Sequence, residues 1–119
     1  MTKSAVEMIE AERHRQVGEE GRTVAHDLTH TDGELARAAA CYAFPHNWRV
    51  AGETAPPVGW PWEREAWKPT PNDRIRELVK AGALILAEID RLQIQADYAE
   101  RAEFDRRVAE RAAELGLDA

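Results

Sequence analysis

Apolar positions recur at helical spacing along three stretches of the chain, and no stretch shows the two-residue alternation of a half-buried strand. The first stretch runs from about Ser4 to Val17. Ser4 followed by Glu7 reads as a capping box, Val6 and Ile9 share a face, and Gly18 and Gly21 predict the end. The second begins at Asp32 or Gly33, with Asp32 as a suitable N-cap. It stops near Phe44, because Pro45 disfavours helical geometry in the residue before it. The third is capped by Asn72 or Asp73 and carries Ile75, Leu78, Val79, Leu86, Ile89 and Leu92 at three- and four-residue steps. Gly82 in its middle costs about 1 kcal/mol relative to alanine, which predicts a tight contact there, with the alanine-rich face of the second helix as the expected partner. Residues 94 to 116 are charged and helix-prone, with a sparse apolar stripe of Tyr98, Phe104, Val108, Ala112 and Leu115 and a stop at Gly116. They either prolong the third helix or fold back. The predicted fold is all-α, with three main helices, a long Trp/Pro-rich loop and a helical C-terminal extension. It divides into a helical domain (1–93) and a charged tail (94–119).

Two segments break this periodicity. Residues 22 to 31 form a polar loop containing His26, Asp27 and His30. Residues 45 to 71 hold all four tryptophans, two glycines and all six prolines. An irregular segment this long is uncommon in a compact domain and is often functional. Its tip, Val50 to Pro57, is expected to move, whereas the Trp-rich half calls for burial, with a short helical turn over Glu63 to Trp67.

Composition narrows the partners. With 119 residues the chain has room for one core. Its 44% apolar and 32% charged residues fit a folded protein. The net charge of −6, with basic residues interleaved among acidic ones, argues against duplex nucleic acid. The longest apolar run, Ala81 to Ala87, is far too short for a membrane span, and no secretory pattern opens the chain, so a cytoplasmic location is expected. The single cysteine, Cys41, sits among alanines and reads as a buried small hydrophobe.

Chemistry is concentrated in His26-Asp27-x-x-His30-x-Asp32-Gly33-Glu34. Imidazole and carboxylate are ordinary metal ligands, and the start of a helix favours an anionic group. The same residues also serve as loop anchors and helix caps. Trp60, Trp62 and Trp67 can stack a flat ring or cap the core, and Lys68, Arg74 and Arg76 follow as sources of positive charge. Glu7, Glu10 and Glu12, with Glu19 and Glu20, read as surface solvation.

The runs Glu12-Arg13-His14-Arg15-Gln16, Glu20-Gly21, His26-Asp27-x-x-His30, Gly33-Glu34-Leu35 and Ala38 to Ala43 resemble a family of small helical phage and prophage proteins. Trp60-Pro61-Trp62, Trp67-Lys68-Pro69 and Arg76 to Ile85 carry the resemblance onward. It covers roughly residues 7 to 92 and implies viral or prophage origin. Arg22 departs from it, standing where an aromatic is expected. The carboxylate pattern of the all-α pyrophosphohydrolases similar to MazG is absent, since Glu77 is followed by Lys80 where an aspartate is needed.

Three functions remain open. In the first, which the residues favour, His26, Asp27, His30, Glu34, Trp60, Trp62, Trp67, Lys68 and Arg74 form a pocket. It binds a small anionic, nucleotide-derived ligand without catalysis and without a cofactor. In the second, His26, Asp27, His30 and Glu34 hold a divalent metal for nucleotide phosphohydrolysis. In the third, the C-terminal helix mediates interaction, including homo-oligomerisation.

Overall fold

The computed structural model describes residues 3–21, 24–45 and 55–117, apart from the side chain of Val24. Arg22, Trp48 and most of the expected mobile tip lie outside these. Helix α1 spans Ala5–Glu19. Its start is the expected capping box: the Glu7 N–H donates to Ser4 Oγ (3.1 Å) and the Ser4 N–H to Glu7 Oε1 (3.2 Å). Gly18 does not end it. The chain instead reverses at Gly21, whose φ of 70° a side chain would oppose.

The polar loop contains a single helical turn, α2, at Val24–Asp27. Helix α3 spans Glu34–Ala43. Asp32 is not its N-cap: Gly33 occupies that position with φ 79°, and Glu34 reaches back to accept from the Asp32 N–H (2.7 Å). Phe44 turns to extended geometry, as the following proline requires. A 3-10 turn at Arg64–Ala66 matches the expected short turn.

Helix α4 spans Arg74–Glu114, 41 residues, and settles the fate of the tail: it is one rod. Asp73 caps its start by accepting from the Arg76 N–H (3.0 Å). A Schellman ending closes it, with Gly116 N–H donating to Ala113 O (3.1 Å) and Leu117 N–H to Ala112 O (2.8 Å). At 1.5 Å per residue the rod is about 60 Å long, and the molecule measures 67 × 37 × 22 Å. The C-terminal half of α4 therefore projects beyond the core, with Tyr98, Phe104, Val108 and Leu115 exposed.

Helices α1, α2 and α3 all contact α4. The core joins Leu35, Ala38, Ala39, Cys41 and Tyr42 of α3 to Ala81, Leu84 and Ala87 of α4, with Trp67 filling the space between them. This corrects the apolar stripe read from α4: Ile75, Leu78, Ile89 and Leu92 are largely exposed. The aromatic rings of Tyr42 and Trp67 supply much of the volume, so beside Leu84 helix α4 presents the small residues Ala81 and Ala87. Gly82 likewise meets α1 and not α3. A Cβ at that position would stand 2.8 Å from Ile9 Cδ1, so the missing side chain lets α1 lie close. No membrane-length apolar helix occurs among the described residues.

Candidate functional site

The histidine loop and the Trp-rich segment meet. Thr29 and His30 N–H groups donate to the carbonyls of His26 and Asp27 (both 3.0 Å), which curls the loop against the start of α3. His30 Nδ1 lies 2.8 Å from Glu34 Oε2, and its Nε2 lies 3.2 Å from Nε2 of His26. A carboxylate at Nδ1 favours the proton there and orients the ring. The Trp62 ring sits 5.3 Å from that of His30, tilted by 55°. Beside them opens a hollow of about 450 Å³, lined by Glu20, His26, His30, Pro61, Trp62, Glu63 and Ala66. Its walls bring together one indole, two imidazoles and two carboxylates.

Other expected site residues lie elsewhere. Asp27 is buried and pairs with Arg13 (2.8 Å). Burial pushes its carboxyl pKa up, against the opposing pull of Arg13. It is a tie between α1 and α2 and not a wall of the hollow. At Glu34 burial works against ionisation, but the Asp32 N–H and His30 outweigh it and hold the carboxyl below its ordinary range. Trp67 is only 5% exposed and stacks on Tyr42 (4.6 Å, 26°). Trp60 packs edge-on against Tyr42, Trp62 and Trp67. Trp60 supports Trp62, Trp67 packs behind Trp60, and neither Trp60 nor Trp67 lines the hollow.

Arg74 is committed to structure. Its guanidinium donates to the carbonyls of Tyr42 (2.9 Å), Ala43 and Phe44 and pairs with buried Glu77 (3.4 Å). It thereby satisfies the carbonyls that end α3. Charge-assisted bonds of this kind are worth about 1.5–3 kcal/mol, so Arg74→Ala is expected to lower stability by about 2 kcal/mol, measurable by urea denaturation.

A second cavity, of about 240 Å³, lies between α1 and α4 and is lined by Glu12, Arg15, Gln16, Glu20, Tyr42, Lys68, Arg76, Lys80 and Leu84. Glu12 is fully buried. It accepts from Arg15 Nε and a second Arg15 nitrogen (both 2.7 Å), from Gln16 Nε2 (3.1 Å) and from Arg76. Burial alone would raise its pKa, but these donors prevail and hold it below the carboxylate range. Lys80 is buried, donates to the Lys68 carbonyl (2.7 Å) and lies over the Tyr42 ring (5.6 Å). Burial, reinforced by the nearby Arg76, pushes its pKa down. Lys68 pairs with Glu20 at 3.5 Å, and Glu20 lines both cavities.

The sequence reading placed Glu12 on a solvated face and gave Arg15, Gln16 and Lys80 no role. One signal was present: Glu77 and Lys80 fall at helical spacing with Leu84 and Ala87, which puts charges on the face of α4 that packs inward. No group of three or more His, Cys, Asp or Glu is arranged to hold a metal ion among the described residues. Comparison with known proteins finds no family model, no curated relative and no solved structure that matches this chain.

Proposed function

We propose that this protein binds a small anionic, nucleotide-derived ligand and releases it unchanged. The observation that carries the reading is the open hollow in which Trp62 faces His30 beside His26. An indole face stacks a base at about 1–3 kcal/mol. The hollow adjoins a cavity rich in positive charge through Glu20.

The metal-dependent alternative needs His26, Asp27, His30 and Glu34 on one ion. Asp27 pairs instead with Arg13, and Glu34 braces His30. An accessory role, such as sequestering or sensing a host nucleotide, is part of the same proposal. The projecting half of α4, with Tyr98, Phe104 and Val108 exposed, supports a separate role in association between copies of the chain.

Calorimetric titration with nucleoside mono-, di- and triphosphates, followed by chromatography of the recovered ligand, tests the binding reading. Binding with intact ligand is expected, and Trp62→Ala should weaken it by about 1–3 kcal/mol. Metal-dependent turnover, or a Trp62→Ala protein that binds as the native one does, would overturn it.

A further inference from the structure

We propose that the cavity between α1 and α4 is a phosphate site that receives the charged end of the ligand. This deepens the reading above and rests on it for the ligand's class, but the site stands on residues outside the histidine–tryptophan hollow. The first argument is charge. The chain as a whole carries −6, yet this cavity gathers the four cations Arg15, Lys68, Arg76 and Lys80 against the two carboxylates Glu12 and Glu20. Four positive charges less two negative leave an excess of two. A phosphate monoester carries about −1.5 to −2 at neutral pH, which matches that excess better than a single carboxylate does.

The second argument is preorganisation. Glu12 lies at the bottom with its oxygens fully engaged by Arg15, Gln16 and Arg76, so it positions the guanidinium groups. Arg15 is steadied further by Glu19 and Glu20 (both 3.2 Å). Arg76 commits one terminal nitrogen to Glu12 and retains other N–H donors in the geometry that suits phosphate oxygens. Placing donors before the ligand arrives lowers the ordering cost of binding.

The third argument is what the cavity lacks. Lys80 is buried and makes no ion pair with a carboxylate among the described residues; its ammonium meets only a carbonyl and an aromatic face. A buried cation held in no ion pair is costly, and an entering anion lowers that cost. Gln16 Oε1 is buried with no hydrogen-bond partner, and it lines the same cavity. An acceptor in that state suits a ligand that brings a hydrogen of its own, such as the P–O–H that inorganic hydrogen phosphate keeps while carrying two negative charges. The cavity has the volume of about eight water molecules in the liquid, enough for a phosphate group with residual water.

Calorimetry of the full chain with inorganic phosphate and with pyrophosphate at low ionic strength tests the site. The native protein is expected to bind both, and Arg76→Gln and Lys80→Met should each weaken binding at least tenfold. Because those side chains also support the fold, Lys68→Ala is the companion variant. Lys68 is mostly exposed, so its loss should leave the circular dichroism spectrum unchanged and weaken phosphate several-fold. No phosphate or pyrophosphate binding by the native protein, or native-like binding by Lys68→Ala and Arg76→Gln, overturns the site. If nucleoside phosphate binding falls in Trp62→Ala but not in these variants, the hollow stands and the phosphate site fails. If it falls in these variants but not in Trp62→Ala, the site stands and the stacking hollow fails.

Discussion

Glu12→Ala is expected to destabilise the protein by about 3 kcal/mol, seen as a lower midpoint in urea or thermal unfolding. Removing one partner of a buried ion pair costs about 3–5 kcal/mol, because the other charge is left buried without compensation. The low end applies, since the side chains of Arg15 and Arg76 are 31% and 35% exposed and can turn partly to water. The loss also uncouples the helices, because Glu12 on α1 joins Arg76 on α4 across 64 positions of sequence. A pH dependence follows from the same group. Its folded-state pKa lies below the ordinary glutamate value, so its contribution is fully present above that value and is lost as pH falls through the folded pKa. Glu12→Gln should therefore flatten the acid limb of the native stability profile, and an unchanged limb would refute the assignment.

Trp67→Ala is expected to cost about 3–5 kcal/mol. Large-to-small replacement of a buried aromatic lies in that range, and stacking on Tyr42 adds to it. The cavity left behind borders Tyr42 and Trp60, and the surrounding alanines cannot expand to fill it. Trp62→Ala, by contrast, should change the unfolding midpoint little, because Trp62 lies at the margin of the core and only packs against it. The two substitutions thus separate the ring that builds the fold from the ring proposed to meet the ligand. Equal destabilisation by both would contradict this division.

Local signals in the sequence survived folding where a few neighbouring residues decide the outcome. Ser4 and Glu7 form their capping box, Pro45 ends α3, and Asp73 starts α4. The juxtaposition of the histidine loop with Trp62 also matches expectation. What could not be read locally was which partner each face would find. Gly82 announces a close approach but not whose, and Ile9 of α1 makes it. The stripe of large residues on α4 suggested its buried face, yet Trp67 and Tyr42 fill much of the core, and α4 contributes Leu84 with Ala81 and Ala87. Arg74 was a free cation on paper until the end of α3 came within its reach. The charged cavity was hidden for the same reason: Glu12, Lys68 and Lys80 acquire a common environment only after α1 and the Trp-rich segment close on α4.

The most direct test follows the indole N–H resonances of the native protein by NMR as a nucleoside monophosphate is added. A ligand seated as proposed moves the Trp62 signal in a saturable way, accompanied by the guanidinium N–H signals of Arg15 and Arg76, while buried Trp67 stays nearly fixed. Saturable binding that leaves Trp62 unmoved, or no response at any concentration, would contradict the account.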